Sequence, residues 1–159
     1  MSTASPLRNV HGTAIVAGTT GLIFVGPSGI GKSSMAFACL SQARRLGLYA
    51  ALIGDDQVFI SVAGGHVIAH RPPTIAGLME FRGTGIGTVE SLPYAILHNV
   101  IDVVDPLECE RLPAENAHFF VNEEVSLPLV RMARTTTEPL SLLATFIPQL
   151  ARQTPYAGL

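Results

Sequence analysis

The chain has 159 residues, 48% hydrophobic and 14% charged, enough to bury one sizeable core, so we expect a single domain over 1–159 with an ordered core at about 6–152. A net charge of −2 offers no basic field, which excludes nucleic acid as a general partner and leaves any phosphate site to specific local donors. Two separated cysteines, Cys39 and Cys109, make no zinc or disulfide pattern, and there is neither a signal-type apolar region nor an unbroken apolar span, so a reduced cytoplasmic protein off the membrane is expected.

In chain order, the apolar stretch 13–25 is interrupted by Gly18, Thr19, Thr20 and Gly21, and its end, Leu22-Ile23-Phe24-Val25, reads as a buried strand entering a loop. Residues 33–46 favour a helix, with Arg44 and Arg45 in the last turn and Gly47 as the stop. Tyr49-Ala50-Ala51-Leu52-Ile53 is a second strand that ends at Gly54-Asp55-Asp56. Residues 58–62 and 66–70 flank Ala63-Gly64-Gly65 as a hairpin, which implies a mixed sheet. Gly77, Gly83, Gly85 and Gly87 surround Glu80 and Arg82 in a constrained turn, and 95–104 reads as one further strand. After the acidic, weakly patterned stretch 105–124, residues 125–130 read as an edge strand, because Pro128 excludes a central one. A final helix, capped by Thr136 or Thr137 with Pro139 near its first turn, runs to about Arg152.

Gly26-Pro27-Ser28-Gly29-Ile30-Gly31-Lys32-Ser33 matches G-x-x-x-x-G-K-[ST] in the setting that motif requires, strand before and helix after. Backbone N–H groups from Gly26 through Ser34 would cradle the α- and β-phosphates of ATP, Lys32 would reach the β- and γ-phosphates, and the Ser33 hydroxyl would ligate Mg²⁺. Lys32 is the only lysine in the chain; a compact ammonium fits between phosphate oxygens where a wide guanidinium does not. Asp55 and Asp56 permit two jobs, one holding Mg²⁺ and the other moving a proton, although an Asp-Asp turn with solvated side chains has the same sequence. Glu80 and Arg82 read equally as a site pair or as exposed turn charges. Taken alone, His11 has no local cue to a role, and His66, His70, His98 and His118 form no metal-ligand spacing.

His11-Gly12, the loop with Lys32, Asp55-Asp56 and Met79-Glu80-Phe81-Arg82-Gly83-Thr84-Gly85-Ile86, in this order, resemble the catalytic domain of HPr kinase/phosphorylase. The resemblance implies an α/β phosphate-loop domain of the phosphoenolpyruvate carboxykinase-like type, a mixed curved sheet with few helices. It implies catalytic roles for His11, Lys32, Asp55, Asp56, Arg82, Arg131 and Arg134, with Ser33, Asp55 and Glu80 on the metal side. Arg131 and Arg134 follow Leu127-Pro128 with the spacing of a basic loop that approaches the transferred phosphate, without the glycine expected before the second arginine. The implied reaction moves the γ-phosphoryl of ATP to a serine of an HPr-type phosphocarrier, with phosphorolysis as its reverse; the implied assembly is a homo-oligomer, hexameric in the family. Family members carry a further N-terminal domain, for which this sequence leaves no room before His11, and 149–159 match the dephosphorylation segment poorly, so the chain resembles a truncated form in which kinase activity carries over better than phosphorylase activity. The alternatives are a phosphate-loop kinase of a small metabolite and a nucleotide-sensing module without catalysis.

Overall fold

The computed structural model describes residues 6–155; the ends of the expected 1–159 domain lie outside the described residues. In chain order these form β1 (Arg8–His11), β2 (Thr13–Ala17), β3 (Thr20–Val25), α1 (Lys32–Arg45), β4 (Ala50–Gly54), β5 (Gln57–Ala63), β6 (His66–His70), a 3₁₀ turn (Pro73–Ile75), β7 (Leu78–Phe81), β8 (Gly85–Thr88), β9 (Tyr94–Leu97), β10 (Asn99–Val104), β11 (His118–Phe120), β12 (Ser126–Ala133), α2 (Pro139–Phe146) and α3 (Pro148–Gln153). None of these helices is long and apolar enough to cross a membrane.

Period-2 alternation along the strands builds three layers. The mixed six-stranded sheet has the order β11-β12-β10-β3-β2-β4, and an antiparallel four-stranded sheet has the order β1-β5-β6-β9. One face of the larger sheet packs Leu22, Phe24, Ile101, Val103 and Met132 against Ala36, Cys39 and Leu40 of α1 and Leu140, Leu143 and Leu150 of α2 and α3. Its other face packs Ala14, Ile23, Ile53 and Val100 against Val58, Ile60, Val67 and Leu97 of the smaller sheet. Cys39 lies in the first of these cores, and burial pushes its thiol above its usual range.

β10 is parallel to β3 and to β12, while β2 is antiparallel to both β3 and β4. So β3, β4, β10 and β12 run in one sense and deliver their carboxyl ends, Val25, Gly54, Val104 and Ala133, to one edge of the sheet. In open α/β sheets that edge is where ligands bind.

Four expectations are corrected. The stretch 95–104 is two strands in different sheets, β9 against β6 and β10 against β3, with His98 at the step between them. His98 holds that step from both sides: its backbone N–H donates to the Gly21 carbonyl at 2.8 Å, and its Nδ1 accepts the Gly21 N–H at 2.9 Å. Residues 125–130 belong to β12, which is flanked by β11 and β10 and is not an edge; Pro128 faces three-residue β11, and the parallel pairing with β10 starts one residue later, at Leu129. The last helix is broken into α2 and α3 because Ile147, preceding Pro148, is driven into the extended region at φ −113° and ψ 101°. Neither Thr136 nor Thr137 caps α2, whose cap position is Glu138 with no side-chain bond.

Burial, and then the nearby His66, lower the pKa of His98 from the ordinary 6.5, and the accepting Nδ1 fits the neutral ring. The folded state therefore binds fewer protons than the unfolded chain between that lowered value and 6.5, so the contribution of His98 is present in full above 6.5 and declines as pH falls through this window. His98→Phe should lower stability by about 1–3 kcal/mol at pH 8 by stranding the Gly21 N–H. In urea titrations the gap to the parent should narrow below pH 6; a constant gap would remove His98 as the titrating group.

Candidate active site

Sharp β-branched and apolar packing in β3 hands the chain to Gly26, and the loop that follows is shaped by glycines. Gly31 precedes α1 at φ 111°, a left-handed conformation that disfavours any side chain. Helix α1 has no side-chain N-cap and no acidic residue in its first turn, so its orphan N–H groups and positive end face the cleft uncompensated by protein carboxylates at that terminus.

The cleft, about 290 Å³, is lined among others by His11, Lys32, Ser33, Asp55, Asp56, Glu80 and Arg82. It also takes in Ser28, Gly29, Gly31 and Ser34 of the loop. Four separate segments thus converge, as the motif spacing implied.

Asp55 and Asp56 adopt different roles. Asp55 is 6% exposed and accepts three hydrogen bonds: Oδ1 from Ser33 Oγ at 2.6 Å and Thr13 Oγ1 at 2.8 Å, and Oδ2 from the Glu80 backbone N–H at 3.1 Å. These bonds tie β2, α1 and β7 to the end of β4. Because the Ser33 proton is committed to Asp55, the serine oxygen keeps its lone pairs for another partner. Asp56 stands at φ 69° in the left-handed region, and the bond from the Gln57 N–H to the Asp55 carbonyl, 2.8 Å, closes a γ-turn around it. That turn swings the Asp56 carboxylate outward, 69% exposed, with Oδ1 3.2 Å from His11 Nδ1. The Asp56 carbonyl in turn accepts the Gly12 N–H at 3.1 Å, which anchors the β1–β2 corner carrying His11.

Lys32 is 7% exposed and its Nζ donates to the carbonyls of Gly26 and Pro27 at 3.0 and 3.1 Å. Its pKa is lowered, first by burial; Asp56 and then Asp55 oppose the shift, and Arg82 adds to it. Arg82, exposed at the tip of the β7–β8 hairpin, lays its guanidinium against the loop: a Cβ on Gly29 would stand 2.9 Å from Nη1. Phe81 packs edge-on to Phe37 of α1 with ring centroids 4.9 Å apart, which fixes that hairpin beside the loop.

The donor set fits Mg²⁺. No cluster of three or more His, Cys, Asp or Glu side chains that could hold a metal is found among the described residues. Mg²⁺ is ordinarily bound by one or two carboxylates together with phosphate oxygens and waters, and Asp55 beside the Ser33 hydroxyl supplies that kind of partial shell, with Glu80 lining the same cleft.

Arg131 and Arg134 are not among the cleft's lining residues. Arg131 is half-buried on β12, opposite Asp102, with Nη2 donating to the Glu110 carbonyl, and it borders a separate cavity; Arg134 is exposed just beyond the strand. Burial raises the Asp102 pKa, an effect that Arg131 opposes. Thr13 was missed as a site residue: it is a threonine at the start of a buried strand, and only the fold shows that its hydroxyl meets Asp55.

A family model described as HPr Serine kinase C-terminal domain matches residues 2–96, more than half of the chain. The match contains the whole cleft and stops before β10. An HPr kinase/phosphorylase of Clostridium tetani (strain Massachusetts / E88) is 34% identical over 99 residues, 62% of this chain and 30% of that protein. The HPr kinase/phosphorylase of Bordetella petrii is 30% identical over 89 residues, 55% of this chain and 27% of that protein. The chain thus spans under a third of the length of the curated relatives it matches. The solved structure of the Hpr(Ser) kinase/phosphatase from Coxiella burnetii superposes with a TM-score of 0.71 at 19% identity, covering 91% of this chain and 96% of that one. The phosphoenolpyruvate carboxykinase-like α/β fold, with a mixed sheet and few helices, is borne out.

Asp55→Ala should strand the Thr13 and Ser33 hydroxyls and the Glu80 N–H, lowering stability by about 1–3 kcal/mol in urea unfolding. An unchanged midpoint and slope would remove Asp55 as the structural tie.

Proposed function

The chain belongs to the HPr serine kinase C-terminal domain family, and from that premise we propose that it is a protein-serine kinase that transfers the γ-phosphoryl of ATP to a serine of an HPr-type phosphocarrier. The observation that carries this reading is the division of labour in the Asp pair: one carboxylate buried and bonded to the loop serine, the next turned out to an exposed rim beside His11. Such a pair suits phosphoryl transfer to a hydroxyl, because the metal-side and proton-side carboxylates act at different atoms.

In this reading the loop amides and the start of α1 bind the phosphates, and Lys32 moves from its two carbonyl partners to phosphate oxygens. Ser33 and Asp55, with Glu80 in the same cleft, would hold Mg²⁺, which would supply neutralisation of phosphate charge. Asp56 accepts the proton of the acceptor hydroxyl as the new O–P bond forms and the bond to the leaving β-phosphate oxygen breaks. His11, donating from Nδ1, orients the receiving carboxylate. Arg82, already against Gly29, stabilises charge spreading over the transferred group. In the reverse direction inorganic phosphate attacks the phosphoserine, yielding pyrophosphate, and Asp56 returns the proton to the serine oxygen.

The exposure of Asp56 and Arg82 supports a protein loop as acceptor, since a small metabolite would need an enclosed pocket. We further read residues 1–159 as one kinase domain acting in the cytoplasm within a homo-oligomer, hexameric as the resemblance implies. The weak net charge supports neither nucleic acid nor membrane as partner. The geometry supports a position beside the second cavity for Arg131, and neither Arg131 nor Arg134 lines the phosphate-loop cleft.

The test is γ-phosphate transfer to an HPr-type carrier, run beside its Ser→Ala variant. Asp56→Asn should lower transfer by at least about a hundredfold while ATP binding by calorimetry stays near parental, since Asn also tolerates the left-handed turn. Lys32→Ala should lose both. Serine-independent labelling, or full transfer by Asp56→Asn, overturns the reading.

A further inference from the structure

A second cavity, of about 430 Å³, opens at the same sheet edge as the phosphate loop, on its other flank. Its floor is Val104 and Ala133, the last residues of β10 and β12, and its far wall is the segment carrying Pro106, Cys109, Arg111 and Pro113. None of these residues lies in the part of the chain matched by the family model. The proposed chemistry does not use them either.

The two sites are neighbours by register. Asp102 pairs with Val25, and the next residue, Val103, presses its carbonyl to within 2.8 Å of where a Gly26 Cβ would stand. The loop therefore starts one strand spacing from the floor of the cavity, and Ala133 lies one spacing further, about 10 Å in all. That is the reach of a nucleoside from its phosphates. The metal and proton side chains gather on the β4 side of the loop, so the β10 and β12 side remains for the rest of a nucleotide.

The walls suit a flat heteroaromatic ring. Val104, Pro106, Pro113 and Ala133 are apolar, and the volume lies in the range of small-ligand pockets. Arg131 lines the cavity, opposite Asp102, with Nη2 donating to the Glu110 carbonyl, and a guanidinium tied there can offer its flat face to a ring. This bond also fastens the 105–113 segment over the strand ends.

We propose that this cavity holds the purine base of the nucleoside triphosphate whose phosphates occupy the loop, with Arg131 as the stacking residue. The inference rests on the phosphate-loop reading. It gives the half-buried Arg131 a ligand contact far from the transferred phosphate.

The test compares ATP with inorganic tripolyphosphate, both with Mg²⁺, by calorimetry. Cys109→Trp fills the cavity from the wall segment, and Arg131→Ala removes the stacking plane. Each should weaken ATP at least about tenfold and leave tripolyphosphate unchanged, since that anion reaches only the loop. If both variants, folded by circular dichroism, bind ATP as the parent does, the base site is overturned. It is equally overturned if both ligands weaken together, because the change then acts through the loop. Lys32→Ala serves as the separate control: retained binding of tripolyphosphate by that variant would sink the phosphate-loop reading itself.

Discussion

The Asp55 carboxylate is the joint on which the active edge depends. A buried anion is tolerated only when its lone pairs are met, and here three donors from three different elements meet them. Those donors also sit on the segments that carry the chemistry: Thr13 follows the corner bearing His11, Ser33 follows Lys32 in the first turn of α1, and Glu80 lies in β7 two residues before Arg82. Positioning and charge compensation are therefore one arrangement. A displacement of any of the three segments would leave the carboxylate underbonded in a dry environment, so the geometry of the cleft is enforced by electrostatics as well as by packing.

Around that joint the sheet divides the work by direction. Four strands of one sense bring their ends to one edge, with the antiparallel β2 wedged between the loop strand and the acid strand. The wedge widens the gap between Val25 and Gly54 by one strand, and the side chains of Thr13, Ser33 and Asp55 bridge it. The smaller sheet buries the opposite face of the large sheet and supplies His11 to the cleft from its end strand β1.

Much of the site was legible because local rules govern it. The loop motif needs its glycines for left-handed backbone, and the strand-loop-helix setting follows from short apolar and helical runs, as found at β3 and α1. The Asp pair and the Glu80–Arg82 segment also stand where their order in the chain implied. What failed depended on partners distant in sequence. Residues 95–104 read as one strand despite Asn99 and Asp102, and nothing local shows that His98 carries the chain from one sheet to another. Pro128 obeyed its rule for a single residue, while the strand around it gained neighbours on both sides. The break at Pro148 was readable, since a proline penalises helix in the residue before it. Arg131 matched a spacing, yet spacing does not record which face of β12 is presented, and that face turns it toward Asp102.

The γ-turn at Asp56 ties reactivity to the backbone. A positive φ at a residue with a side chain is held only where surrounding bonds over-determine it, and here the Gln57 N–H and the Gly12 N–H do so. The carboxylate's direction is thus set by main-chain atoms that every substitution at Gly12 and Gln57 except proline leaves in place. Evolutionary drift at neighbouring positions can alter solvation or acceptor fit while the aim of the proton acceptor stays constant. Acceptor preference and proton transfer can in this way diversify separately in one small domain.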